Sequence, residues 1–195
     1  MKKIFRFKFY WLVLPILLFM GGCAGKTVAP GKNDIQKVGF DIDDTLLFST
    51  PAFQEGFNSG AKQYSEEFWV IVNGVDREKS IVKKRAEQIL EMHKKKGDLI
   101  YVITSREPYG AENLKIFLYD RFGVPLENIY FESDKTGRIK ELGLNIYYGD
   151  SDSDIKAALE AGAIPYRIQR ARESSYKNKY NPGSYGENII EGSEW

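Results

Sequence analysis

An α/β fold built on a mainly parallel sheet is what this sequence predicts, and three observations predict it. Short apolar runs with strand character alternate with longer stretches of helical periodicity, the mark of βαβ units. Glycine or proline stands where those helical stretches stop, as at Gly97, Gly123-Val124-Pro125 and Gly162. Polar and charged groups recur just beyond the apolar runs, where open α/β sheets gather their ligands.

Lys37–Ile42 reads as the first strand. The interval 46–79 breaks the alternation: Phe48, Phe53, Phe57, Tyr64, Phe68 and Trp69 predict a small insert of short helices over the end of that strand. Such an aromatic stripe serves a core first, and its position beside a carboxylate cluster adds a role in a pocket. Ser80 to Lys96 reads as a helix with Ser80 as N-cap and Val82, Ala86, Ile89, Leu90 and His93 as its apolar stripe. Leu99–Thr104 is the second strand. Leu114, Phe117, Leu118 and Phe122 mark a helix, Ile129–Phe131 a brief strand and Asn145–Tyr148 another. Ile155, Ala158 and Leu159 open a helix, and Ile164–Ile168 reads as the last strand. The tail from Arg170 to Trp195 has no clear periodicity and is expected to wrap the domain or meet a partner chain. No internal repeat is present.

The length of 195 residues suits one domain with a small insert. Net charge is +1, and the first 22 residues hold Lys2, Lys3, Arg6 and Lys8 with no acid, so their removal leaves −3. A mildly acidic body speaks against a nucleic-acid polymer as partner. Those 22 residues read as an export signal: a basic start, the uncharged run Phe9 to Met20, then Gly21 and Gly22. The run is too short for a comfortable membrane span and is interrupted by Pro15. Cys23 is the only cysteine, so it forms no internal disulfide. Met20-Gly21-Gly22-Cys23 resembles the lipobox of bacterial lipoproteins, with Met20 where that family usually has Leu. The resemblance implies lipidation of Cys23, and Ala24 after it implies sorting to the outer membrane, facing the periplasm; a soluble periplasmic protein is the alternative. Residues 23–36 read as a flexible tether and 37–195 as the folded domain.

Asp41-Ile42-Asp43-Asp44-Thr45 places three carboxylates in four positions at the end of the first strand. Strand alternation puts Asp41 and Asp43 on one side and Ile42 on the other. Like charges this close repel, and a cation or a division into nucleophile and acid would resolve the conflict. The same residues also suit a turn or a helix cap. Three more strand ends carry polar groups: Thr104-Ser105-Arg106, Ser133-Asp134-Lys135, and Gly149-Asp150 through Asp154. Carboxylate and carbonyl oxygens suit Mg²⁺. A hydroxyl, a guanidinium and an ammonium are the donors a phosphoryl group needs, and an Asp carboxylate can attack phosphorus.

These ordered motifs resemble those of the haloacid dehalogenase-like (HAD) phosphohydrolases. Longer stretches, among them Phe40 to Thr45, Leu47 to Pro51, Phe68-Trp69, Met92-His93, Tyr148 to Ile155 and Ser175-Tyr176-Lys177, are similar to bacterial class B acid phosphatases. The resemblance implies a Rossmannoid three-layer sandwich with residues 46–79 as a small helical cap. It implies an acid phosphatase acting on small phosphomonoesters, nucleotides among them, with Mg²⁺ and an aspartyl-phosphate intermediate. Asp41 is the implied nucleophile and a metal ligand. Asp43 is the implied acid and base, its backbone carbonyl a second ligand, and Asp150 the third. Thr104 and Lys135 are implied to hold phosphoryl oxygens, with Ser105 in place of the common Gly. Arg106 is implied to contact substrate beside the phosphate, Asp154 to support the metal shell, and Phe53, Trp69 and Tyr176 to line the pocket. The family often forms homotetramers.

Residue counts exclude rivals. His93 is the sole histidine, on a helix away from every motif, so phosphohistidine chemistry is out and a core or interface role is expected for it. Cys23 lacks a phosphate loop, which excludes a cysteine phosphatase. A carboxylate at Asp43 favours phosphate over halide chemistry. A lipid-anchored nucleotidase similar to class C acid phosphatases, or a surface lipoprotein that keeps the fold as a scaffold, are the alternatives.

Overall fold

Among the described residues, six strands form one sheet in the order β5 (Ile129–Phe131), β4 (Leu99–Thr104), β1 (Lys37–Phe40), β6 (Ile146–Gly149), β7 (Ile164–Ile168) and β8 (Asn188–Ile190), and every neighbouring pair is parallel. The computed structural model describes residues 34–195. The expected signal segment, Cys23 and most of the tether lie outside the described residues. No helix among the described residues is long and apolar enough to cross a membrane.

Two-residue strands β2 (Leu47–Phe48) and β3 (Ile81–Val82) pair antiparallel outside the sheet. The helices are α1 (Thr50–Asn58), α2 (Glu66–Lys79), α3 (Lys84–Lys96), α4 (Glu112–Phe122), α5 (Lys135–Leu142) and α6 (Asp152–Ala161). Strand alternation divides the apolar residues between two faces. Val38, Phe40, Ile100 and Val102 pack with Ala86, Ile89 and Leu90 of α3 and Leu114, Phe117 and Leu118 of α4. Ile103 and Tyr147 pack with Ile139 of α5 and Ala157 and Ala158 of α6. The result is the expected three-layer sandwich. Gly39 has no room for a side chain: a Cβ there would lie 2.5 Å from Leu144 Cδ1 and 2.6 Å from Tyr147 Cδ2.

The insert is two helices with their own small core of Ala52, Phe68, Trp69 and Val72. Helix α2 is longer than the short helices expected. Ser65 caps it, accepting from the Phe68 N–H, and acidic Glu66 and Glu67 meet the positive end of the helix dipole.

Two expectations need correction. The helix expected from Ser80 begins at Lys84, because Ser80 ends α2 and Ile81-Val82 pair with Leu47-Phe48 as β3. Val82 matched the helical stripe by spacing alone. The aperiodic tail adds a sixth strand, β8, parallel to β7. The tail also reaches back toward the insert, where Trp195 meets Phe48 with ring centroids 4.9 Å apart. His93 is a core residue: Nδ1 lies 2.7 Å from Asp98 Oδ2 and Nε2 3.0 Å from the Tyr148 hydroxyl.

Candidate active site

The carboxyl ends of β1, β4 and β6 converge on a cavity of about 480 Å³. Its wall includes Asp41, Asp43, Asp150 and Asp154, the donors Ser105, Arg106 and Lys135, and the rings of Phe53, Trp69 and Tyr176. Ten of the eleven residues expected at the site among those described therefore share one cavity. Thr104 is fully buried and does not reach the wall; its hydroxyl accepts the Arg106 N–H at 3.2 Å and shapes that turn.

Asp41 leaves the end of β1 with its N–H donated to the Tyr148 carbonyl of β6. Ile42 points the other way, fully buried in the core. The carbonyl of Ile42 accepts the N–H groups of Thr45, Leu46 and Leu47, so the chain coils tightly past Asp43. Asp44 takes φ 53° within this coil, a left-handed conformation that Asp tolerates better than most residues. The Ser174 hydroxyl donates to Asp44 Oδ2 at 2.5 Å, and Lys83 Nζ donates to its carbonyl at 2.5 Å and to that of Gln169 at 2.6 Å. Asp44 is thus structural, and Lys83 ties the coil to the end of β7.

Lys135, the first residue of α5, sends Nζ 2.6 Å from Asp41 Oδ1 and 2.6 Å from Asp154 Oδ1. Burial alone would push its ammonium down, but Asp154 and Asp41 hold it well above the usual lysine range. Burial pushes the Asp41 carboxyl well up, Lys135 opposes this, and Asp154, Asp150 and Asp43 add to it. Asp150 is pushed up to about 7 by burial and by Asp154, against the pull of Arg170.

Oxygens of Asp41, Asp150 and Asp154 all lie within 4.8 Å of one another. Three buried carboxylates facing one another fit a hard cation. The side chain of Asp43 is outside this cluster, which leaves its backbone as its only route to a metal. Asp154 Oδ2 accepts the N–H and hydroxyl of Ser151 in a capping box at the start of α6, so its oxygens are already occupied in a supporting way. Gly149 makes room for it: a Cβ there would lie 2.3 Å from Asp154 Cβ.

Asp43 faces Arg106, whose Nη2 lies 2.6 Å from Oδ1 and Nε 2.9 Å from Oδ2. Burial pushes the Asp43 carboxyl up, but the charge and hydrogen bonds of Arg106 more than reverse this and hold it below its usual range. Arg106 is almost wholly enclosed, with a side chain 1% exposed. Its guanidinium carbon lies 5.2 Å from the centre of the Phe53 ring. The residue expected to contact substrate lines the cavity and is turned onto Asp43.

Sequence reading missed three contributors, Arg170, Asn73 and Asp76. Arg170, just past β7, donates to the Asp150 carboxylate and to the carbonyls of Tyr176 and Asn178 at 3.1 and 2.8 Å. It also stacks on Tyr176 and Tyr180, with its guanidinium carbon 4.8 and 4.9 Å from their centres. Its place beyond a strand end was the available signal. Asn73 and Asp76, buried on α2, reach Arg106. Tyr64 joins Phe53, Phe57 and Trp69 in the aromatic wall, 6.0 Å from Trp69.

Among known proteins, the HAD superfamily, subfamily IIIB (Acid phosphatase) family matches residues 23–179. The class B acid phosphatase of Klebsiella pneumoniae (strain 342) is 40% identical over 172 residues, covering 81% of this chain and 73% of that protein. That of Salmonella typhi is 40% identical over 176 residues, with the same coverage. A HAD hydrolase of family IA, variant 3, from Entamoeba histolytica HM-1:IMSS shares the fold with a TM-score of 0.55 at 18% identity, covering 80% of this chain and 93% of its own. A HAD family hydrolase from Deinococcus radiodurans R1 does so with 0.52 at 14% identity, covering 80% and 90%. The parallel sheet, the carboxylate cluster at its carboxyl edge and this sequence identity agree: the chain belongs to the class B acid phosphatases of the HAD superfamily, subfamily IIIB, and is a phosphoric monoester hydrolase.

Proposed function

We propose that this enzyme hydrolyses small phosphomonoesters, nucleotides among them, through an aspartyl-phosphate at Asp41 with Mg²⁺ as cofactor. The observation that carries this reading is the Asp41 carboxylate, buried at the end of β1, 2.6 Å from Lys135 and clustered with Asp150 and Asp154.

An oxygen of Asp41 attacks phosphorus and the bond from phosphorus to the leaving oxygen breaks. Asp43, which Arg106 holds toward its ionised form, first takes up a proton at mildly acidic pH and then gives it to that oxygen. Its carboxylate then takes a proton from water as the water attacks phosphorus, and the bond to Asp41 breaks, releasing phosphate and restoring both groups. Lys135 offsets negative charge beside Asp41 throughout. Asp41, the Asp43 carbonyl and Asp150 would hold Mg²⁺, with Asp154 in support, and the ion would supply charge to the phosphoryl oxygens. Phe53, Phe57, Tyr64, Trp69 and Tyr176 line the route of the leaving group and suit a flat, apolar one such as a nucleobase.

Hydrolysis of p-nitrophenyl phosphate tests the metal. EDTA is expected to abolish turnover and added Mg²⁺ to restore it; turnover indifferent to chelation would overturn the reading.

Export and lipid attachment at Cys23 belong to the same proposal, supported by the basic start, the apolar run and the residues before Cys23. Incorporation of radioactive fatty acid into the full chain, absent in Cys23→Ser, is the expected result. Label in both, or in neither, would remove the anchor. Small phosphomonoesters and Mg²⁺ are the ligands this reading requires, and a homotetramer is the assembly the family likeness supports.

A further inference from the structure

Helix α2 of the insert contributes more than a pocket wall. Asp76 and Asn73 sit one turn apart on its inner face, both with no exposed surface. Arg106 has five N–H donors in a planar fork, and the structure accounts for all five. Nε and one hydrogen of Nη2 serve Asp43. The other hydrogen of Nη2 serves Asp76 Oδ1 at 3.2 Å. Nη1 serves Asp76 Oδ2 at 2.5 Å and Asn73 Oδ1 at 3.1 Å. Asp76 is fixed in turn, since the Ser80 hydroxyl donates to its Oδ1 at 2.6 Å. Asn73 donates to the carbonyls of Glu107 and Tyr109, at 3.0 and 2.8 Å, and so grips the loop after β4 that carries Arg106.

A buried carboxylate that accepts two bonds along one edge of a guanidinium leaves that guanidinium a single orientation. Its free edge points at Asp43. We infer that Asp76 is a positioning residue: acting through Arg106, it aims the Asp43 carboxyl at the leaving oxygen, with Asn73 in support. The logic is that of a third group orienting an acid or base. It explains why a fully buried acid and a fully buried amide occupy the inner face of a helix whose other buried residues are Phe68, Trp69 and Val72. It also makes the insert part of the proton-transfer apparatus, so that the cap and the sheet act on one carboxyl. The inference rests on the proposed acid role of Asp43, and the test separates the two.

The test compares kcat/KM for p-nitrophenyl phosphate, whose leaving group needs little protonation, with that for glycerol 2-phosphate, whose alkoxide needs a proton. kcat/KM covers only the steps through departure of the leaving group. Asp76→Asn is expected to lower it roughly 10–100-fold for glycerol 2-phosphate and only about 3-fold or less for p-nitrophenyl phosphate. Asp43→Asn is expected to show the same dependence more steeply. In an Arg106→Ala background, Asp76→Asn is expected to add nothing, because the route to Asp43 is already cut. Asn73→Ala removes one partner without unpairing a charge; should Asp76→Asn fail to fold, it is expected to show the same dependence at smaller amplitude. Equal losses on both substrates in the Asp76 and Asn73 variants, with a steep Asp43→Asn, would overturn the positioning role alone. Additive losses in the Arg106→Ala background would do the same. A flat Asp43→Asn would overturn the acid assignment and this inference with it.

Discussion

Asp41→Asn is expected to lower kcat for p-nitrophenyl phosphate by roughly 10⁴-fold or more, on the scale of losing a nucleophile elsewhere. The amide is isosteric and cannot attack phosphorus. Its Oδ1 still accepts from Lys135, which also keeps Asp154 at 2.6 Å. The fold is expected to survive. Burial and neighbouring acids raise the Asp41 carboxyl above its usual range despite Lys135, so its ionised form is disfavoured in the metal-free folded state. A neutral amide removes that burden, and the melting temperature of the metal-free variant at neutral pH is expected to match or exceed the parent's. Activity within tenfold of the parent would sink the nucleophile assignment. A lost fold would show instead that the carboxylate is needed for assembly.

The separation between these outcomes reflects how the sequence encodes the site. Asp41, Asp43, Lys135 and Asp150 were legible because each follows an apolar run, and parallel strands carry their following residues to one edge. Asp76, Asn73 and Arg170 were not. Their signal is a tertiary pairing: an acid on an insert helix meets an arginine 30 residues later, and an arginine after β7 meets an acid 20 residues before it. Nothing in local spacing marks the first pair, and only the place of Arg170 just past β7 hints at the second.

The same distinction runs through the fold. Leu99–Thr104 and Ile164–Ile168 match their expected bounds because five or six consecutive residues carry the strand pattern. Ile81-Val82 escaped because two residues cannot establish a period, and Asn188–Ile190 because, unlike Ile129–Phe131, no helical pattern precedes it to mark a βαβ unit. They become strands only through Leu47-Phe48 and β7. Helix α3 was read too long for the same reason: Val82 lies four residues before Ala86, which helical spacing accepts and pairing with Leu47 overrides.

Replacing Lys135 is the change expected to cost most stability. Its side chain is 8% exposed, and its ammonium lies between two carboxylates that are themselves buried. Lys135→Met keeps the length and removes the charge, leaving Asp41 and Asp154 facing each other. Breaking a buried pair from one side costs about 3–5 kcal/mol. The sign of the pH dependence follows from linkage. With its cation gone, the Asp41 carboxyl rises further above the unfolded value, which is about 3.9. A carboxyl raised in the folded state lowers stability at pH above its folded pKa, and that deficit disappears as pH falls toward the unfolded pKa. Urea unfolding of metal-free protein is therefore expected to show a deficit that is small near about pH 4 and grows as pH rises above the unfolded value of about 3.9. The parent starts from a different balance, because Lys135 offsets the two carboxylates at neutral pH. Turnover of p-nitrophenyl phosphate in the variant is expected to fall roughly 10²–10³-fold, the usual loss when a fixed charge is taken from a developing phosphoryl anion. A deficit that stays constant with pH would mean that packing of the lysine stem, and not its charge, holds these acids together.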